Sequence, residues 1–72
     1  MNKEHIKELI IAAPFRPFII HTSSGRAIEV IHPEQVTLLP GRMMVATGYL
    51  GNREAEGVEH IAYLHVSNLQ EK

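Results

Sequence analysis

The spacing of apolar positions changes once along this chain. Between Asn2 and Ala13, the residues Ile6, Leu9, Ile10 and Ala13 recur at i, i+3, i+4 and i+7. That spacing lays a single apolar stripe along a helix. Asn2 can serve as its N-cap, the side-chain oxygen accepting from an early backbone N–H. Pro14 ends the element, because the residue before a proline is pushed out of the α region. "PFRPF" follows as an extended connector that offers Phe15 and Phe18 to a core.

From Pro17 onward the period is two, as on a strand with one buried face. Around Ser23-Ser24-Gly25, pairing Thr22 with Arg26 sets Ile20 opposite Ile28 and Phe18 opposite Val30. A one-residue slip would set Ile20 against Glu29, so the first register is expected. It also places Gly25 where a three-residue hairpin loop needs a left-handed residue. "HPEQ" turns the chain at the far end. "VTLLPGRMMV" predicts a second hairpin about Pro40-Gly41, a favoured pair for a type II turn. Its inner face would be Val36, Leu38, Met43 and Val45. "GNREAEG", residues 51–57, reads as a polar, mobile loop. "VEHIAYLHVSNLQ" is either one long strand or two short ones parted near Tyr63-Leu64. The divided form is preferred, since a small sheet must bend sharply to remove its edges.

These elements predict one domain over residues 1–72: mainly β with one N-terminal α-helix. The helix covers about 2–13, and a small, bent, five- to six-stranded barrel of Sm-like or Src-homology-three-like form covers about 17–70. The helix should close an open end or one face of the barrel through Ile6, Leu9 and Ile10. Ile19 and Ile31 project from the other side of the first hairpin. They either lie beneath the helix or stand exposed as an interaction surface.

Composition narrows the functional classes. A 72-residue chain is near the lower limit for independent folding, burying only about 60% of its unfolded surface. It holds no cysteine, so neither disulfides nor a Cys-based zinc site supports the core. The net charge of −1 lacks the basic excess of a non-specific phosphate binder. "LIIAA" is too short and too closely flanked by charge for a signal peptide or a membrane span. A cytoplasmic location is expected.

The five histidines raise the question of catalysis. No pair has the i, i+4 helical spacing of a zinc-binding His-x-x-x-His, and no Asp or Cys completes a familiar set. His21, His32 and His65 are therefore functional candidates only as single side chains, and neither a metal nor another cofactor is expected. Ser23 and Ser24 lack a strained strand-to-helix elbow and an aspartate partner. A domain this small also has little room for a ligand pocket of ~300 Å³ or more, so an enzyme is not expected. A different candidate arises because the Ser23–Gly25 and Pro40–Gly41 turns should emerge at one end of the barrel. Arg26 and Arg42 would then flank Ser23 and Ser24, where guanidinium groups could hold a carboxylate or phosphate.

"PFRPFIIHTSSGRAIEVIHPE" followed by "AYLHVSNLQ" resembles a set of short bacterial proteins of uncharacterised role. Those proteins carry a Pro-Phe-Arg-Pro-Phe segment, a Gly-Arg hairpin, a His-Pro-Glu turn and a closing Leu-His motif. The resemblance spans most of the chain after the helix and implies no particular activity. A looser, architectural likeness is to the bacterial Sm-like RNA chaperones, which implies a bent five-stranded barrel and rings assembled through strand edges. Three expectations remain, the last a small hydrolase-like or metal-dependent enzyme built on the histidines. The first is a non-catalytic protein-interaction module that self-associates as a homo-oligomer. The alternative is an Sm-like RNA-binding protein using Arg16, Arg26, Arg42 or Arg53 on phosphates.

Overall fold

A computed structural model describes residues 3–52 and 54–72. The helix α1 runs Lys3–Ile11 and is followed by β1 (Phe18–Thr22) and β2 (Ala27–Val30). A 3-10 turn at Pro33–Gln35 leads to β3 (Val36–Leu39), β4 (Arg42–Gly51) and β5 (Glu54–Ala62). A second 3-10 turn at Tyr63–His65 precedes β6 (Val66–Glu71).

The helix is shorter than the apolar stripe implied. It stops at Ile11, two residues before Ala13, and Ala13 is exposed. Ile6 is fully buried, while Leu9 and Ile10 pack half-buried against the core. The expected cap at Asn2 lies outside the described residues.

Both hairpins take the registers that segregate their faces. Phe18 pairs with Val30 and Ile20 with Ile28, and the Thr22 N–H donates to the Arg26 carbonyl at 2.9 Å. Leu38 pairs with Met43 and Val36 with Val45. Gly25 and Gly41 close these turns at φ of 89° and 77°, a region where only glycine escapes a Cβ penalty.

The expected barrel is not formed. The strands make two separate three-stranded antiparallel sheets, ordered β2-β1-β6 and β3-β4-β5. Closure would require backbone ladders joining the edges of the two sheets, and none forms between β2 and β4. Side chains span that seam instead, as described below. The two inner faces enclose Phe18, Ile20, Ile28, Val30, Met43, Val45, Ile61 and Val66, with Ile6 added from the helix. Burying a side chain of this size contributes about 1.5–3 kcal/mol, so this cluster is what a chain without cysteine relies upon.

Two further differences concern the second half. The segment 51–57, expected as a mobile loop, is largely strand: β4 reaches Gly51 and β5 starts at Glu54. The tail is divided as preferred, by the 3-10 turn at Tyr63–His65. That turn joins the two hairpin ends. The Ser23 N–H donates to the His65 carbonyl at 2.8 Å, and the Tyr63 N–H donates to the Gly41 carbonyl at 3.3 Å. The buried Tyr63 ring also sends its hydroxyl to the Leu39 carbonyl at 2.7 Å.

Candidate interaction surface

Two surfaces could receive a partner: the seam between the sheets, and the free side of β5. The seam begins with "HPEQ". The His32 Nδ1 accepts from the Glu34 N–H at 3.1 Å, which starts the 3-10 turn and turns Gln35 inward. Gln35 is 3% exposed, and its amide is fully used. Its Oε1 accepts from the N–H groups of Ile31 and His32 at 2.7 and 3.1 Å. Its Nε2 donates to the carbonyls of Glu29 on β2 and Ala46 on β4, at 3.2 and 3.0 Å. One side chain thus links the sheets where no ladder does. Further along the seam, Arg26, just before β2, forms an ion pair with Glu59 of β5.

Between these two links lies a cavity of about 330 Å³, more room than expected in so short a chain, lined in part by Glu29, Ile31, Thr47 and Tyr49. At its rim the rings of His32 and Tyr49 stack at 5.6 Å, and the Tyr49 hydroxyl donates to Glu34 at 2.7 Å. This histidine has its Nδ1 occupied by backbone, as a turn residue would. Among the described residues, no group of three His, Asp or Glu side chains is placed to hold a metal ion.

The two hairpin turns do share one end of the molecule, each anchored to the Tyr63–His65 turn. The proposed anion ligands are nevertheless engaged separately. Arg26 bonds Glu59, and the Ser24 hydroxyl lies 2.9 Å from that of Thr22. The Ser23 side chain is exposed, and Arg42, also exposed, sits opposite Leu39 and Ala62. His21 meets the Gln70 side chain at 2.8 Å. His65 is exposed and uses its backbone carbonyl, not its ring, to hold Ser23. Ile19 is half-buried between Glu29 and Gln70 on the outer face of its sheet. Ile31, 49% exposed, lies at the seam. The two isoleucines belong to different surroundings.

The second surface lies along β5, whose first residues, Glu54 to Gly57, fall in the segment expected as a loop. β5 is the terminal strand of its sheet and pairs only with β4. Gly41 and Tyr63 continue the β4–β5 register and share a backbone hydrogen bond. Bonded and non-bonded pairs alternate along an antiparallel ladder. Ile61, Glu59 and Gly57 therefore bond β4, while Glu56, Val58, His60 and Ala62 turn their N–H and C=O groups to the free edge. The same residues carry their side chains to the outer face, where Val58 is 58% exposed beside Ala46. His60 is beside Met44 in the next row. The sequence signal for this strand was the alternation Glu56, Val58, His60 against Gly57, Glu59, Ile61. From Val58 onward it reads as strand, whereas its first half is obscured by the polar, glycine-bounded run Gly51 to Gly57.

No helix is long and apolar enough to cross a membrane among the described residues. Comparison with family models, curated proteins and solved structures finds no match to this chain.

Proposed function

We propose that this chain is a non-catalytic interaction module that self-associates. The observation that carries the reading is the free edge of β5, a nine-residue strand with one unpaired side. A long unpaired edge presents a row of donors and acceptors that invites another strand. Here it adjoins an outer face bearing Met44, Ala46 and Val58. A domain of this size gains proportionally from association, because its own core is small. The nucleic-acid alternative receives less support, since one of its candidate cations, Arg26, is already paired with Glu59.

The test is the solution mass of the purified chain across a range of concentrations, by light scattering or sedimentation. A mass that rises with concentration to a defined oligomer is expected. A single-chain mass throughout would remove the reading. Retained nucleic acid, with association abolished by nuclease, would favour the alternative.

A further inference from the structure

We infer that the partner of the β5 edge is a second copy of the same strand, paired antiparallel about a two-fold axis at Val58. This inference rests on the self-association proposed above and adds the strand, the register and the symmetry.

The argument begins with what the strand must avoid. β5 reads EAEGVEHIA and carries Glu54, Glu56 and Glu59, so most ways of laying it against itself bring carboxylates together or waste the valine. Like charges directly opposite one another on paired strands are destabilising. Centring the pair on Glu59 would oppose the two copies of that residue. Centring it on Gly57 would set Glu56 against Val58 and leave no apolar contact.

Centring the pair on Val58 removes both faults. Val58 then meets its own copy on the outer face, and Glu56 meets the second copy's His60 on either side of the axis. On the inner face, Glu59 is opposite Gly57, which has no side chain to crowd it, and Ala55 is opposite Ile61. No glutamate faces a glutamate. This register is also the one in which the strand, Glu54 to Ala62, overlaps its copy end to end.

Backbone phase agrees independently. Residues at the free edge alternate, and those with outward groups are Glu56, Val58 and His60, as shown by the bond between Tyr63 and Gly41. In the Val58-centred register each of these meets another outward-facing residue. Every free N–H and C=O between Glu56 and His60 thereby gains a partner. The product is a six-stranded sheet running β3-β4-β5 and back through the second copy. Such a two-fold contact is closed, so it stops at a dimer rather than extending into a fibre. The outer faces with Met44, Ala46 and Val58 become continuous across the axis.

The chain contains no cysteine, which permits a position-specific test. Opposed residues in a hydrogen-bonded antiparallel pair have Cα atoms about 5.5 Å apart, within the span a disulfide tolerates, about 4.4–6.8 Å. Val58→Cys should therefore form a covalent dimer on mild oxidation, while Glu56→Cys, two positions from the axis, should not. Val58→Lys should weaken association roughly tenfold or more by opposing two ammonium groups. Glu56→Lys should weaken it too, and adding His60→Glu to that variant should restore it. These side chains are exposed, and circular dichroism of each variant checks that it remains folded. Equal cross-linking at 56 and 58, or undiminished association of folded Val58→Lys, would overturn the pairing while leaving self-association intact. A wild-type chain that never exceeds single-chain mass would overturn both.

Discussion

The side-chain amide of Gln35 donates to the carbonyl oxygen of Ala46 at 3.0 Å while also holding Glu29 on the opposite sheet. Gln35→Ala strands the two carbonyls and the Ile31 and His32 N–H groups that its amide serves. A buried polar group left unsatisfied costs about 1–3 kcal/mol, so a loss of at least about 2 kcal/mol is expected in urea unfolding. Gln35→Glu should be no better, because it keeps the acceptor but aims a carboxylate at two carbonyl oxygens. Unfolding midpoints within error of wild type in both variants would show that the seam is held by something else.

Tyr63 offers a narrower test. Tyr63→Phe removes only the hydroxyl that reaches the Leu39 carbonyl and leaves the ring in the core. The expected loss is about 1 kcal/mol, read as a fall in melting temperature of roughly 4–8 °C for a domain this small. An unchanged melting temperature would mean that water replaces the phenol without cost.

The helix depends on one residue more than its neighbours. Ile6 is fully buried, whereas Leu9 and Ile10 are half-buried. Truncating Ile6 to alanine should cost about 2–5 kcal/mol, and truncating Leu9 distinctly less. Equal losses at both positions would show that α1 packs along its whole stripe.

Gly48 lies in β4 beyond Val45, the last residue of that strand paired with β3. Its φ of 62° is left-handed, and a Cβ there would run into the Glu56 carboxylate. The carboxylate is the end of a flexible side chain and can move aside; the backbone cannot. Gly48→Ala should therefore destabilise by about 1–2 kcal/mol, and Gly48→Asn by less, since asparagine tolerates this region better. Thermal unfolding of the two variants would separate steric crowding, which should penalise asparagine more, from backbone strain.

The registers of both hairpins were legible because each places four apolar side chains on one face, and a slip of one residue reverses that assignment. Phe18 with Val30 and Leu38 with Met43 could be paired from alternation alone. The outer half of the β4–β5 ribbon could not. Beyond Thr47 it projects past the core, so its residues are selected neither for burial nor for strict alternation, and glycine and glutamate there resemble a loop. Closure was illegible for another reason. Whether two sheet edges join depends on the span between them, and the glutamine that bridges them from a His-Pro-Glu-Gln turn leaves no periodic trace. For the candidate site, Arg26 and Arg42 were correctly placed next to turns that share one end, but sequence could not show that Glu59 reaches Arg26 from a distant strand.

In its sheet, β1 lies between β2, its immediate neighbour in sequence, and β6, with Phe18 paired to Val30 on one side and Glu71 on the other. The first hairpin can fold early, but one flank of its central strand waits for β6, which begins 44 residues after Thr22. Loop closure over that distance slows assembly. During the wait β1 carries an open edge of its own, so nascent or truncated molecules lacking Val66–Glu71 are the species in which unplanned strand exchange between chains would start.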